Sequence, residues 1–132
     1  MGYSFTFDPP ADDAGSGCAF NNHQMGYVRL LLVEAGAIAG GNFISPRPQP
    51  WWEPAGPPLP AATYLSNGGA HVTPAQAGFV AARLRRAIAA NADRDLLDFL
   101  DDAPPAADVR SWVEEFATFN ELAATRAGYY VG

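Results

Sequence analysis

The residues best suited to hold a ligand lie in a proline-rich segment that contains two adjacent tryptophans. Arg47, Trp51 and Trp52 stand among four prolines between positions 46 and 54. An indole ring offers a flat apolar surface for stacking, and the guanidinium of Arg47 suits a phosphate or carboxylate. Because proline restricts the backbone, less entropy is lost when these side chains are held in place. The segment therefore predicts a site for a small planar anionic ligand, such as a nucleotide or a nucleotide-derived signal.

The same segment allows two other interpretations. One or both indoles could fold back over the helices as a lid, because a long loop has to bury something to stay ordered. Together with the prolines at 57, 58 and 60, the segment could also be a polyproline ligand for the aromatic groove of a partner. The sequence leaves all three interpretations open.

Asn22 and His71 complete the predicted ligand-binding set. Each lies beside the start of a predicted helix, and binding residues often gather at the ends of elements. Capping and turn formation are the alternative roles of such polar residues.

Catalytic and metal-binding patterns are absent from the sequence. Neither of the two histidines belongs to a spacing such as H-E-x-x-H, which places two metal ligands on one helical face. Ser16 lies in Gly-Ser-Gly, which is not the G-x-S-x-G turn of a hydrolase nucleophile. Adjacent carboxylates such as Glu114 and Glu115 point in different directions on a helix. The sequence therefore predicts no catalytic residue, no metal site and no cofactor.

The composition favours one soluble domain spanning residues 1–132. Its 48% hydrophobic and 17% charged residues are typical of a folded chain of this size. The net charge of −6 argues against binding to nucleic acid, whose phosphates attract clustered cations. The single cysteine excludes an internal disulfide, and no apolar run is long enough to span a membrane. We therefore expect a cytoplasmic protein without a membrane partner.

The basic residues carry a second compositional signal. All eight are arginine, and alanine, glycine and proline are abundant. Such a bias is typical of a GC-rich genome, which favours an accessory protein of a bacterium or a phage. The bias says nothing about mechanism.

Four helices are predicted from apolar spacing and end signals. Thr73, Pro74 and Gln76 combine a cap, a first-turn proline and the reciprocal capping-box residue, which makes them the clearest local signal in the chain. The helices are predicted from His23 to Ala35, from Pro74 to about Asn91, from Arg94 to Asp101 behind an Asp93 cap, and from an Asp108 cap to about Arg126. Arg83 and Arg86 are predicted to lie on one flank of the second helix.

Two short aromatic strands, Tyr3–Phe7 and Tyr129–Val131, are predicted at the ends of the chain. We expect them to pair in one small antiparallel sheet on which the three or four helices pack, which is an α+β fold. Residues 8–17 and 40–69 are predicted as loops, the second rich in Pro, Gly and Trp, with a short strand at Tyr64–Leu65.

Three functions remain open on these observations. The first is a non-enzymatic protein that binds or sequesters a small planar ligand through Arg47, Trp51 and Trp52. The second is a protein-interaction module or homo-oligomer whose interface is the Pro/Trp-rich loop. An enzyme ranks third, because no catalytic constellation supports it.

Overall fold

Four helices pack against a four-stranded antiparallel sheet in the computed structural model, which describes residues 2–7, 18–40, 49, 51–52, 57–65 and 68–132. The helices are α1 (Asn22–Glu34), α2 (Pro74–Ala89), α3 (Ala92–Leu97) and α4 (Ala106–Ala124). The strands are β1 (Gly2–Phe7), β2 (Cys18–Asn21), β3 (Ile38–Ala39), β4 (Leu59–Pro60), β5 (Ala70–Val72) and β6 (Tyr129–Val131). The predicted α+β class is confirmed.

The first and last strands pair with each other at the centre of the sheet. The strand order is β2-β1-β6-β5, and every neighbouring pair is antiparallel. Phe5 stands opposite Val131, and Phe7 stands opposite Tyr129. The predicted pairing of the two chain ends is therefore confirmed. Strands β3 and β4 form a separate parallel pair.

Alternation along the strands gives the sheet one apolar face. Phe5 and Phe7 of β1 are buried, whereas Ser4 and Thr6 between them are exposed. The ring of Phe5 lies 5.0 Å from that of Phe116 on α4, and this contact fixes the helical layer on the sheet. Aromatic burial of this kind contributes most of the stability of a small core.

A series of hydrogen bonds between buried polar side chains crosses this core. The hydroxyls of Tyr64 and Tyr129 lie 2.5 Å apart, and Tyr129 donates to Asn120 Oδ1 at 2.7 Å. Asn120 Nδ2 in turn donates to the Phe116 carbonyl at 2.8 Å. Burial raises the pKa of both phenols above its ordinary value, so they stay neutral donors and acceptors. Each of these three buried side chains has a hydrogen-bond partner, which buried polar groups require.

The first turns of α1 and α2 are each stabilised by a reciprocal side-chain cap. Thr73 Oγ1 accepts from the Gln76 N–H at 3.2 Å, and the Gln76 side chain accepts from the Thr73 N–H at 3.0 Å. Asn21 and Gln24 form the same reciprocal pair at the start of α1. The predicted end of α1 at Ala35 is confirmed, because Ala35 is the C-cap residue and Gly36 follows it with φ +71°.

Three local predictions are wrong. Helix α3 begins at Ala92, and Asp93 is not its cap: its buried carboxylate receives two hydrogen bonds from Arg110, at 2.9 and 2.7 Å. Pairing with a buried carboxylate outweighs capping, since an unpaired buried charge is costly. Helix α4 has Pro105, not Asp108, at its N-cap. The strand predicted at Tyr64–Leu65 is replaced by a 3-10 helix, Ala61–Tyr64.

Candidate functional site

The two tryptophans of the Pro/Trp-rich segment lie together at the C-terminal end of α1. Their ring centres are 6.3 Å apart, with the rings nearly perpendicular at 79°. Both side chains are half-buried. Arg47 lies outside the described residues, as do residues 8–17, so the predictions made for them stay predictions.

Asn22 and His71 lie elsewhere. Asn22 is exposed at the opposite end of α1, which separates it from Glu34 by about 18 Å of helix rise. His71 is exposed on β5, where its ring lies 4.7 Å from that of Tyr130 on the neighbouring strand. The structure therefore brings together Trp51 and Trp52, and it does not bring Asn22 or His71 to them.

The Trp52 indole is held by the protein itself. Its Nε1–H donates to the Glu34 carbonyl at 3.1 Å. One face of the ring is covered by Arg83, whose guanidinium carbon lies 5.0 Å from the ring centre. With its donor and this face in use, Trp52 has a structural role at the end of α1.

Arg83 contacts both the Trp52 ring and the C-terminal end of α1. Only 5% of its surface is exposed, although an arginine on the predicted flank of α2 would be solvated. Its Nη1 donates to the Ala35 carbonyl at 3.1 Å, and its guanidinium also lies 4.9 Å from the Phe79 ring centre. Burial lowers the pKa of Arg83 from its ordinary value. The cation therefore caps α1 from between two aromatic rings.

Gly36 allows this packing because it has no side chain. A Cβ there would lie 2.8 Å from Trp52 Cη2 and 2.6 Å from Arg83 Nη1. The backbone also has φ +71°, which glycine adopts without strain. The turn after α1 and the position of the Trp52 ring therefore depend on the same residue.

Trp51, unlike its neighbour, lines an open cleft. The cleft has a volume of about 200 Å³ and lies between the C-terminal ends of α1 and α2 and the exposed side of α3. It is lined by Glu34, Gln49, Trp51, Ala90, Ala92, Asp95, Leu96 and Phe99. A small molecule entering it would meet the side chain of Trp51 on one wall.

Among the residues that the structure describes, two with carboxylate side chains and none with a basic side chain line the cleft. Glu34 is partly buried and Asp95 is exposed. In the part of the chain that the structure describes, neither residue takes part in an ion pair. The cleft therefore offers negative charge to a ligand.

Phe99 is the most unusual residue of the cleft, because 87% of its surface is exposed. Exposing so large an apolar side chain is unfavourable unless it serves a contact. The sequence did not indicate Phe99, Glu34 or Asp95 as site residues. Phe99 could have been noticed, because it is an aromatic residue on the polar side of a predicted helix, between Leu96 and Leu100.

A second, wider groove surrounds the start of α1. It has a volume of about 380 Å³ and is lined by Asn22, His23, Gly26, Tyr27, Leu30, Leu100 and Asp101. The Tyr27 ring lies 6.4 Å from that of Trp112 on α4, and the His23 ring lies 5.2 Å from that of Tyr27. This groove includes Asn22, so it is the alternative position for a planar ligand.

No described side-chain arrangement indicates covalent or metal chemistry. Among the described residues, no three His, Cys, Asp or Glu side chains come close enough together to hold a metal ion. Cys18 is buried, and burial raises the pKa of its thiol to about 12, so little of the reactive thiolate forms near neutral pH.

Compared with protein families, curated proteins and solved structures, the chain has no significant match in any of the three. Over the described ranges, none of the helices has the length and apolar character required to cross a bilayer.

Proposed function

We propose that this chain is a non-enzymatic binding protein that holds a small planar ligand in the Trp51 cleft. The single observation that carries the proposal is the difference between the two tryptophans. Trp52 uses its donor and one ring face within the protein, whereas Trp51 lines an open cleft beside the exposed ring of Phe99. Aromatic side chains that converge on a cleft supply the flat apolar surface that a planar ligand requires.

The size of the cleft restricts the ligand. Sites for drug-sized molecules usually have volumes of about 300 Å³ or more. At about 200 Å³, the described cleft suits a molecule with a single ring better than a whole nucleotide. The nucleotide predicted from sequence relied on the charge of Arg47, whereas the described walls carry the carboxylates of Glu34 and Asp95.

Indole NMR tests this proposal site by site. The chain has three tryptophans, so a ¹⁵N-labelled sample gives three indole N–H signals, which Trp→Phe variants assign. A panel of single-ring aromatic compounds and nucleotides is added in turn. We expect at least one compound to shift the Trp51 signal, and Trp51→Ala to abolish its binding while the protein stays folded. A panel that leaves the Trp51 signal unchanged would count against the site.

A protein-interaction surface is the second candidate function, and the exposure of Phe99 favours it. At 87% exposure, this ring lies beside an open cleft and could insert into a partner or a second copy. The mass in solution, measured by light scattering over a hundredfold range of concentration, decides whether the chain self-associates. If Phe99→Ala abolishes a concentration-dependent increase in mass, the face is an interface. A constant monomer mass would argue against self-association.

A further inference from the structure

We infer that the ligand of the Trp51 cleft is a small organic cation, such as a quaternary ammonium or an aromatic amine that is protonated at neutral pH. This inference rests on the proposed function and narrows it to a class of ligand. It reverses the charge expected from the sequence, where Arg47 predicted an anion. Three features of the cleft support a cation.

The first feature is side-chain charge. Glu34 and Asp95 line the cleft, and no basic residue among those the structure describes lines it with them. Within the described ranges both carboxylates are free of ion pairs, so their charge is available to a ligand. A bound anion would face two like charges, whereas a cation would face two opposite ones. The net charge of −6 acts in the same direction at longer range.

The second feature is the aromatic wall. A cation over the face of an indole or a phenyl ring is attracted by the negative π-cloud, and tryptophan is the strongest of the side chains in this respect. Trp51 and Phe99 both line the cleft. The protein already makes such a contact on the adjacent indole, where Arg83 covers Trp52. The Trp51 cleft offers an external cation the same chemistry.

The third feature is the orientation of the backbone. Glu34 is the last residue of α1 and Ala90 is the C-cap of α2, so two helices direct their negative ends towards the cleft. Both ends are partly offset inside the protein, because Arg83 donates to the Ala35 carbonyl at 3.1 Å and Arg110 Nη2 donates to the Ile88 carbonyl at 3.3 Å. The N-terminus beside the cleft belongs to α3, which has only 6 residues. The carbonyl groups that remain at the ends of α1 and α2 therefore make a smaller contribution in favour of a positive ligand.

A matched set of three probes tests the sign of the charge. Phenyltrimethylammonium is cationic, N,N-dimethylaniline is neutral at pH 8, and 4-(dimethylamino)benzoate is anionic, while all three share a substituted phenyl ring. Affinities are measured by calorimetry at low salt, with the Trp51 indole signal recorded for each probe. We expect the cation to bind about tenfold more tightly than the neutral probe, because its charge meets two carboxylates and an aromatic wall. Added salt should lower the affinity of the cationic probe and should not lower that of the other two.

Charge-removing variants assign the effect to the cleft. Glu34→Gln and Asp95→Asn should each weaken phenyltrimethylammonium binding about two- to fivefold, as expected for partly exposed charges. Glu115→Gln is the control, because it removes the same charge from an exposed position of α4 that does not line the cleft. Its affinity should match that of the unmodified chain. Unfolding midpoints of the three variants check that all are folded.

The outcomes separate the inference from the proposed function. If the neutral or anionic probe shifts the Trp51 signal with equal or higher affinity, the cation inference is wrong and the binding site stands. If the two cleft variants bind the cation as well as Glu115→Gln does, the inference is again wrong. If none of these probes and no compound of the wider panel shifts the Trp51 signal, both the inference and the proposed function fail.

Discussion

The guanidinium carbon of Arg83 lies 5.0 Å from the centre of the Trp52 ring, and this contact divides the roles of two adjacent tryptophans. Arg83 also donates to the carbonyl of Ala35, so one side chain holds both the helix end and the indole. Trp51, one residue earlier, packs against the hydrophobic core and also lines the cleft. Four expected outcomes follow from this division and from the composition of the core.

Replacing the two tryptophans should have different effects on stability. Trp52→Ala removes the hydrogen bond to Glu34 and uncovers the buried Arg83, so we expect a loss of about 2–4 kcal/mol in the free energy of unfolding. Trp51→Ala removes a half-buried ring that lines a cleft, and its loss should stay near 1 kcal/mol. Urea unfolding followed by circular dichroism measures both. Equal losses would show that the structural role is not confined to Trp52.

Two glycines, Gly26 within α1 and Gly36 just after it, provide a matched test of the packing. Gly36→Ala would place a methyl group against Trp52 and Arg83 at φ +71°, so we expect it to destabilise the protein by about 1–3 kcal/mol. Gly26→Ala puts the same methyl into the middle of α1 with nothing within 4 Å, and should stabilise by about 0.5–1 kcal/mol. Thermal unfolding compares the two variants. A neutral Gly36→Ala would contradict the close packing of Trp52 on this turn.

Phe99 should matter for binding and hardly at all for folding. Because 87% of its surface is exposed, Phe99→Ala should change the free energy of unfolding by less than about 0.5 kcal/mol while weakening phenyltrimethylammonium binding about fivefold. Leu122→Ala, at a 49% exposed position of α4, is the control for removing an exposed apolar side chain. Calorimetry measures the affinity of both variants for phenyltrimethylammonium. Equal affinities would argue against a role for Phe99 in binding.

Stability should fall in alkali, and the buried thiol of Cys18 sets where the fall begins. Burial raises its pKa from 9.0 to about 12, so between these values the unfolded chain releases a proton that the folded chain keeps. Rising pH therefore favours unfolding, by about 1 kcal/mol per pH unit from this group. Well below pH 9 the thiol is protonated in both states and contributes no slope.

Cys18→Ala isolates this contribution. The variant should lose less stability than the unmodified chain between pH 9 and about pH 11 in urea unfolding experiments. A residual loss should remain, because burial also raises the pKa of Tyr64 and Tyr129. Identical pH profiles for the two proteins would show that the thiol is not buried as described.

Local signals in the sequence predicted the helices and strands better than the tertiary contacts of their side chains. The Thr73–Gln76 capping box and the aromatic alternation of β1 depend on residues a few positions apart, and both appear as predicted. The burial of Arg83 and of Asp93 could not be predicted, because each depends on a partner far away in the chain. From sequence alone Asp93 is predicted to be a helix cap, and only the fold shows that it pairs with Arg110.

The candidate site shows the same limit. The unusual composition around Trp51 and Trp52 marked the segment, but only tertiary packing distinguishes the indole that covers α1 from the one that lines a cleft. Glu34 and Asp95 belong to different helices, and their convergence depends on how α1 and α3 pack. The charge offered to a ligand is therefore a property of the assembled cleft, which no single segment of the sequence displays.

Intermolecular NOEs between phenyltrimethylammonium and the protein would locate the bound cation. We expect NOEs from the methyl and ring protons of the probe to Trp51 and Phe99, and none to Trp112 or Tyr27. NOEs confined to Tyr27 and Trp112 would place the ligand in the groove at the start of α1 and contradict the assignment of the site to Trp51.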